Sequence, residues 1–470
     1  MAKKSKTRSE SITAPTAAAK PIKDLAQARK WAMARGVTEI ECLVPDLAGV
    51  ARGKIMPAAK FFDDTGMALP SSIFMQTISG EYPEEHGDFR YDPSDGDLEL
   101  RPDFSTLCLV PWAQDPTAQV IHDALYHDGR PVEIAPRQVL KRVIALYHEE
   151  GWKPVVAPEI EFYLVKRNID PDYPLEPPIG RSGRAEAGRR SYSISAVNEF
   201  DAIFEDIYAF AEAQELEVDT LIHEEGAAQM EINLRHGDPL RLADQVFLLK
   251  RTIREAAQTH EIYATFMAKP IAHEPGSAMH IHQSILSIQS GENIFTDADG
   301  RPTPEFFQFL AGQQRYVPAV TCMLAPYVNS YRRLVKGLSA PVNVQWGYDN
   351  RTTGLRIPPS SPANRRVENR VPSSDANPYL AVAASLACGY LGLTRHLSPS
   401  EPVSGSAVSE EFDLPVGLLE AVRLFEDTEE LAEVFGRSFI TTFAAVKRAE
   451  FATFMRVISP WEREFLLLNV

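Results

Sequence analysis

Four short stretches of the chain alternate charged or amide side chains with apolar ones, one residue at a time. They are Glu159–Phe162, Gln229–Leu234, Met279–Ile285 and Arg366–Val371. Because residues i, i+2 and i+4 of a β-strand share a face, each stretch predicts a strand with one polar and one apolar face. Any one of them alone is equally typical of a half-buried strand whose polar face meets water. The four polar faces carry Glu, His and Arg and no Lys, so together they indicate a concave site.

Apolar residues at helical spacing predict several helices. The first runs from Leu25 to Ala34 and precedes an apolar stretch at 40–44 and turn residues at 45–49. A second begins at Pro136, since proline is tolerated at the first helical position, and stops at Gly151. Later helical segments are Phe200–Ala211, Tyr379–Thr394, Leu418–Phe425 and Phe439–Phe454. Residues 81–103, rich in acids, and residues 168–190, rich in Pro, Gly and Arg, predict surface loops.

These elements predict an α+β protein with two domains behind a disordered tail. The 470 residues allow two or three domains. Residues 1–20 are basic and lack the apolar centre of a signal peptide, which indicates a disordered tail. We expect a small N-terminal domain over residues 21–125 and a larger domain over residues 126–470.

Composition excludes several classes of partner. With 48 basic and 64 acidic residues the net charge is −16, which disfavours binding to nucleic acid. The longest charge-free run, residues 376–394, is too short in its apolar part to cross a membrane. The four cysteines lie far apart without a CxxC pair, which is typical of a reducing compartment. We therefore expect a cytoplasmic protein that is not bound to a membrane.

The predicted polar faces indicate metal-dependent phosphoryl transfer. Glu-rich sites with a His favour Mg²⁺ or Mn²⁺, and several carboxylates repel one another unless two or more cations lie among them. Arginine is dense in the later segments of the chain: Arg332, Arg333, Arg351, Arg356, Arg365, Arg366 and Arg370. Guanidinium groups bind phosphate and carboxylate with two parallel hydrogen bonds, although any single arginine is as readily a solvated surface residue. The chain lacks Walker A, GxGxxG, GxSxG and HExxH motifs.

Five segments carry a resemblance to a known family. They are Ala157–Phe162, Asn329–Leu334, Asn350–Pro358, Arg365–Arg370 and Asn377–Tyr379. At these segments, and over nearly its whole length, the chain resembles the glutamine synthetase superfamily. The resemblance implies an N-terminal β-grasp domain and a C-terminal catalytic domain with a curved antiparallel sheet. It also implies a homo-oligomer, commonly a dodecamer of two hexameric rings, in which a neighbour's N-terminal domain completes each site.

Site residues follow from the resemblance position by position. One metal would be held by Glu161, Glu224 and Glu231, and a second by Glu159, His280 and Glu368. Glu225 stays open as an alternative to Glu224. Glutamate would be bound by Gly276, Arg333 and Arg370, and ATP by His282, Ser284, Arg356 and Arg366. Asp46 matches the acid that binds ammonium, and Arg351 would stabilise charge during phosphoryl transfer.

Three positions depart from the pattern of glutamine synthetases. Ser339 stands where they carry a Glu that closes the site and helps to take a proton from ammonium. Pro275 replaces an Asn, and Ala363 replaces a Lys. A retained metal set with a changed Glu predicts retained ATP chemistry with a different nucleophile. In this respect the chain resembles γ-glutamylpolyamine synthetases, which is the glutamate–putrescine ligase branch.

The expected reaction is ATP-dependent ligation of the γ-carboxylate of glutamate to a primary amine through γ-glutamyl phosphate. A diamine or polyamine such as putrescine or spermidine is the expected amine. The alternatives are a glutamine synthetase that uses ammonium and a ligase for a monoamine or ethanolamine. A non-catalytic paralogue is a further alternative, which the six competent side chains at the metal positions disfavour.

Overall fold

The computed structural model describes residues 22–64, 66–84, 89–90, 92–336, 340–407 and 411–470. The predicted tail at 1–20 and Ser339 lie outside these residues. The α-helices of the described chain are α1 (Leu25–Ala34), α2 (Ala58–Asp63), α3 (Pro136–Glu149), α4 (Ile194–Val197), α5 (Asp201–Ala213), α6 (Pro239–Thr259), α7 (Pro304–Leu324), α8 (Val328–Tyr331), α9 (Pro378–Thr394), α10 (Leu418–Asp427), α11 (Glu429–Phe435), α12 (Arg437–Phe454) and α13 (Pro460–Phe465). Its strands are β1 (Glu39–Pro45), β2 (Ala51–Pro57), β3 (Met67–Pro70), β4 (Asp97–Pro102), β5 (Cys108–Leu109), β6 (Thr117–Leu125), β7 (Trp152–Lys166), β8 (Val218–His223), β9 (Gln229–Leu234), β10 (Ile262–Thr265), β11 (Met279–Ser287), β12 (Trp346–Tyr348), β13 (Leu355–Ile357) and β14 (Val367–Asn369).

The N-terminal strands form a mixed six-stranded sheet. Its order is β2-β1-β6-β4-β3, and β5 pairs with β6. The β1–β6 pair is parallel and the others are antiparallel. Ala28 and Ala32 of α1 are buried in the same apolar core as Ile40 and Val120 of the sheet. This sheet lies where the resemblance implies a β-grasp domain.

The larger sheet contains all four of the predicted alternating strands. Its order is β12-β13-β14-β11-β7-β9-β8, with β10 paired to β7. The pairs are antiparallel except β12–β13, which is parallel. Ile160, Ile232 and Ile281 are fully buried in the core formed with the helices, so the opposite face of β7, β9 and β11 is left for the polar residues. The predicted α+β class and the four strands are confirmed.

The helix predictions are confirmed, and one loop prediction is partly wrong. The predicted helices correspond to α1, α3, α5, α9, α10 and α12. The predicted acidic loop at 81–103 ends too late, because β4 occupies Asp97–Pro102. Leu98 and Leu100 of β4 are buried, and the strand pairs with β3 and β6. The acidic residues of this stretch are typical of a loop, although buried leucines alternate with charged residues as in a strand.

A buried arginine joins the N-terminal sheet to helix α6. Arg137 on α3 donates to Asp123 on β6 and to Asp103, each at 2.6 Å, and to both oxygens of Asp244 on α6 at 2.9 Å. Only 3% of the Arg137 side chain is exposed. Because several carboxylates compensate this buried charge, the contact ties the N-terminal sheet to helix α6. Among helices in the described part of the chain, none has both the length and the hydropathy for a bilayer crossing.

Candidate active site

The register of the large sheet places its charged residues side by side. Glu159 on β7 lies opposite His280 on β11 and opposite Asn233 on β9. One pleat further along, Glu161 lies opposite Glu231. On the other side of β11, His282 lies opposite Glu368. The side chains that the sequence predicted to share a face therefore share it across four adjacent strands.

Glu159, His280 and Glu368 form one cluster of possible metal ligands. One ligand atom from each lies within 4.8 Å of the others. His280 Nδ1 is 3.3 Å from Glu159 Oε2 and 3.9 Å from Glu368 Oε1. The ligand set that the resemblance implied for one metal is thus brought together within one chain.

A second cluster contains Glu161, Glu231 and His280, again with ligand atoms within 4.8 Å of one another. Glu161 Oε2 accepts hydrogen bonds from the Ala278 amide at 2.8 Å and from Gln229 Nε2 at 3.2 Å. The Glu231 side chain is hydrogen-bonded to Asn233, and Glu231 lies directly opposite Glu161. Like charges directly opposite each other destabilise a sheet, so the pair is costly without a cation.

The pKa values of these carboxyl groups divide in two. Burial and the charge of Glu224 raise the pKa of Glu161 to about 8. Burial and the charges of Glu159 and Glu161 raise the pKa of Glu231 to about 9. For Glu368 burial is outweighed by neighbouring positive charge, which includes Arg370, and the pKa falls to about 2. Hard oxygen ligands that repel one another in a buried site fit divalent cations, because such cations would remove the repulsion.

Glu224 and Glu225 both line the pocket beside these clusters, and neither belongs to either cluster. Burial, followed by the charge of Glu159, raises the pKa of Glu224. Glu225 is held by Arg189, whose Nη1 lies 2.6 Å from its carboxylate. Because the Glu225 carboxylate is paired with Arg189, the geometry favours Glu224 over Glu225 as a possible metal ligand.

The pocket has a volume of about 280 Å³ and brings acidic and basic residues together. Of the residues predicted for the site, it is lined by Glu159, Glu161, Glu224, Glu231, Gly276, His280, Arg333, Arg351, Arg356 and Arg370. Glu368 lies directly behind, bound by Arg356 and Arg370 at 2.7 Å each. An acidic floor beside four guanidinium groups suits binding of metal ions together with anionic substrates.

Arg333 and Gly276 are packed against each other at one side of this pocket. Arg333 is 2% exposed, and its guanidinium donates to the carbonyls of Val371 at 2.8 Å and Arg370 at 2.9 Å. A Cβ added at Gly276 would lie 2.6 Å from Arg333 Cγ and 2.6 Å from the Ala268 carbonyl oxygen. Only glycine fits there without displacing the arginine.

A second cavity of about 540 Å³ adjoins the first pocket and shares Glu159 and Asn233 with it. His282, Ser284 and Arg366 line it. His282 lies between charged groups, with Nε2 2.9 Å from Glu159 Oε1 and with Nδ1 accepting from Arg366 Nε at 3.2 Å. Three of the four residues predicted to bind ATP thus line this cavity, whereas Arg356 lines the first pocket.

Asp46 lies outside both cavities. It follows β1 in a turn, and its carboxylate accepts hydrogen bonds from the Val50 amide at 2.8 Å and from Arg52 Nε at 2.7 Å. The side chain is fully buried, and burial raises its pKa. Its backbone carbonyl accepts from Asn377 Nδ2 at 2.9 Å. Within one chain, therefore, Asp46 does not reach the pocket.

Sequence reasoning assigned no specific role to two residues that shape the pocket. Gln229 donates to Glu161 and to the Gly276 carbonyl, and its own oxygen accepts from the Gly226 amide. Its place on the polar face of β9 was a usable signal. Tyr192 also lines the pocket, in a left-handed backbone conformation with φ 61°. No pattern marked it, because it follows an irregular loop.

Residues 133–466 match the family described as "Glutamine synthetase, catalytic domain". The chain belongs to the glutamine synthetase family. Members of this family use ATP and divalent metal ions, which agrees with the two carboxylate clusters. The match includes every strand of the large sheet and all of the predicted site residues except Asp46.

Named relatives extend the family match over almost the whole chain. The chain is 36% identical over 437 residues to γ-glutamylputrescine synthetase of Escherichia coli (strain K12), covering 92% of each protein. It is 31% identical over 453 residues to glutamate–isopropylamine ligase of a Pseudomonas species, covering 94% of this chain and 97% of the relative. A solved structure of GmaS in complex with ADP aligns with a TM-score of 0.80 at 29% identity, covering 95% of this chain and 100% of the other.

Proposed function

We propose that this glutamine synthetase family member joins the γ-carboxylate of glutamate to a primary amine at the expense of ATP. The amine is a diamine or polyamine such as putrescine or spermidine. The observation that carries the proposal is the single pocket in which two carboxylate clusters face four arginines. Two relatives that share most of the chain are named as ligases or synthetases of γ-glutamylamides.

Divalent cations, Mg²⁺ or Mn²⁺, are the metals proposed for the carboxylate clusters. Glu161, Glu224 and Glu231 would hold one cation, and Glu159, His280 and Glu368 the other. When bound, such cations neutralise charge on phosphate oxygens during phosphoryl transfer. The neutral form of His280 suits this role, since burial and Arg370 lower its pKa to about 4.

Glutamate is proposed to bind with its carboxylates near Arg333 and Arg370. Burial lowers the pKa of Arg333 to about 10, so it stays protonated at neutral pH. ATP is proposed to occupy the second cavity, near His282, Ser284 and Arg366, with Arg356 between the cavities. A γ-carboxylate oxygen then attacks the γ-phosphorus and ADP leaves, while Arg351 stabilises the transferred phosphoryl group.

In the second step the amine nitrogen attacks the γ-carbonyl carbon and inorganic phosphate leaves. The attacking nitrogen must first lose a proton, because an alkylammonium group has a pKa near ~10.4. Asp46 of a neighbouring subunit is the proposed acceptor, and Ser339 is proposed to leave room for the alkyl chain. Asp46 is buried in its own chain, so this role requires that assembly expose its carboxylate.

The assembly proposed is a dodecamer of two hexameric rings in the cytoplasm, with no nucleic acid or membrane partner.

Within each subunit, residues 21–125 are proposed as the N-terminal domain and residues 126–470 as the catalytic domain. The last strand of the small sheet ends at Leu125 and the family match begins at residue 133, which supports that division.

Mixing inactive Asp46→Ala with inactive Glu161→Gln subunits tests whether two subunits share one active site. Recovery of activity after subunit exchange is expected, and its absence would assign the site to one chain.

Identification of the product tests the proposed reaction. With ATP, Mg²⁺, glutamate and putrescine we expect ADP, phosphate and a product with the mass of glutamate plus putrescine less one water. ADP release that requires glutamate but yields only glutamine with ammonium would favour the ordinary glutamine synthetase reaction. No glutamate-dependent ADP release with any amine would refute ligase activity.

A further inference from the structure

A short segment after β14 connects several parts of the candidate active site. Residues 370–377 begin with Arg370 and end with Asn377, which bonds the Asp46 turn. Between them, Ser374 Oγ donates to the Glu161 carbonyl at 2.5 Å. Asp375 Oδ2 accepts from Ser330 Oγ at 2.8 Å. We call residues 370–377 the connecting segment.

The connecting segment also fixes Arg333. The guanidinium donates to the carbonyls of Arg370 and Val371 and to Ser373 Oγ at 3.3 Å. A guanidinium has five donors in a fixed plane, so its direction is set by these acceptors. Movement of the segment would therefore turn Arg333 away from its present direction.

Lys250 of α6 holds this segment from the side. Its ammonium donates to the carbonyls of Ser374 at 2.5 Å and of Ala376 at 2.9 Å, which flank Asp375. The lysine is 7% exposed and forms no ion pair within 4 Å among the described residues, but the charge of Asp375 acts on it and its ammonium lies 5.5 Å from the centroid of the Phe266 ring. Burial and the charge of Arg254 lower its pKa to about 7.

A buried lysine without a direct ion pair is costly, because desolvation of its ammonium group is only partly compensated by the two carbonyls, the more distant charge of Asp375 and the Phe266 ring. A methionine of similar length would satisfy packing alone at lower cost. This cost in stability is explained if the two hydrogen bonds to carbonyls hold the connecting segment in place and do more than fill space in the core.

We propose that Lys250 is a positioning residue for glutamate binding. It fixes the connecting segment, and the segment in turn directs Arg333 and Arg370 toward the substrate carboxylates. This inference rests on the proposed function, because it concerns the proposed glutamate subsite. It assigns Lys250 no contact with substrate.

Replacement of the lysine by methionine tests the proposal. Lys250→Met should raise KM for glutamate by about tenfold or more, as for loss of one charge-assisted hydrogen bond. KM for ATP should change by less than about twofold, because the residues proposed to bind ATP contact neither Lys250 nor Ser374. These residues are His282, Ser284 and Arg366. A merely structural lysine would leave both constants close to wild type in the folded fraction, or would change both equally.

Lys141→Met is the matched control, since Lys141 pairs with Asp123 at the N-terminal sheet. It should leave both KM values unchanged. Thermal shifts of Lys250→Met with ATP and with glutamate separate misfolding from weak binding: the shift caused by ATP should be retained and that caused by glutamate reduced. An unchanged glutamate KM in Lys250→Met would overturn the inference, whereas a wild-type protein without glutamate-dependent ADP release would overturn the proposed function instead.

Discussion

Glu161 on β7 and Glu231 on β9 face each other directly across the sheet, and both are buried. Burial and neighbouring carboxylates raise the pKa of Glu161 to about 8 and that of Glu231 to about 9, so the metal-free folded protein holds protons on this pair at neutral pH. Replacing one of the two carboxyl groups by an amide should therefore raise the stability of the metal-free protein and lower the enzyme activity.

Glu231→Gln keeps the shape of the side chain and removes its charge. We expect the metal-free protein at neutral pH to gain stability, by about 1 kcal/mol or more, because folding no longer requires proton uptake at a buried carboxyl group whose pKa is raised to about 9. Activity should fall by orders of magnitude, because a cation ligand is lost. Thermal melts in EDTA and steady-state assays check both effects. A variant with wild-type turnover would exclude Glu231 as a ligand.

Glu368→Gln should behave differently, although Glu368 is also a proposed metal ligand, in the set with Glu159 and His280. Its carboxylate accepts from Arg356 and Arg370 at 2.7 Å, and its pKa is lowered to about 2. Removing the charge takes the carboxylate partner from the buried Arg370 guanidinium, while Arg356 keeps Asp349 at 2.7 Å, and the expected cost is about 3 kcal/mol. We expect lower stability in EDTA together with lost activity. Equal stabilisation by both Gln variants would contradict this distinction.

The metal-free protein should lose stability as pH rises from about 5 to 9. Glu161 and Glu231 have folded-state pKa values raised to about 8 and about 9, so the folded state binds protons that the unfolded state has already released. Stability is then highest at low pH within this window and falls by about 1.4 kcal/mol per pH unit for each proton concerned. Urea titrations in EDTA check the slope, which Glu231→Gln should reduce. A flat profile in wild type would indicate normal pKa values.

Gly276→Ala should weaken glutamate binding. The added Cβ would lie within 3 Å of Arg333 and of the Ala268 carbonyl, so the arginine must move. We expect KM for glutamate to rise by about tenfold or more while KM for ATP stays near wild type. Gly417→Ala is the control, because a Cβ there meets no atom within 4 Å. A wild-type glutamate KM in Gly276→Ala would show that the contact is not needed.

The strands of the site were predictable from sequence because alternation with period two survives in a single strand. The register that sets Glu161 opposite Glu231 was not, because it depends on how separate segments pair. Glu224 had no alternation to mark it, since it lies in the connection between β8 and β9. Lys250 lies in α6, which was not among the predicted helices, and only the packing of α6 against the connecting segment revealed its burial. Strand β4 was not predicted, because the acidic residues at 97–103 are typical of an exposed loop.

The proposed preference for extended amines is the central claim. We proposed that Ser339, in place of the Glu that serves ammonium in glutamine synthetases, leaves room for an alkyl chain and removes a proton acceptor for ammonium. The most direct measurement is kcat/KM for putrescine, spermidine and ammonium in one preparation with ATP, Mg²⁺ and glutamate, beside the Ser339→Glu variant. We expect the wild-type protein to favour putrescine or spermidine over ammonium by about 100-fold or more, and Ser339→Glu to narrow that ratio. Equal efficiency with ammonium in the wild-type protein would contradict the account and assign it to glutamine synthesis.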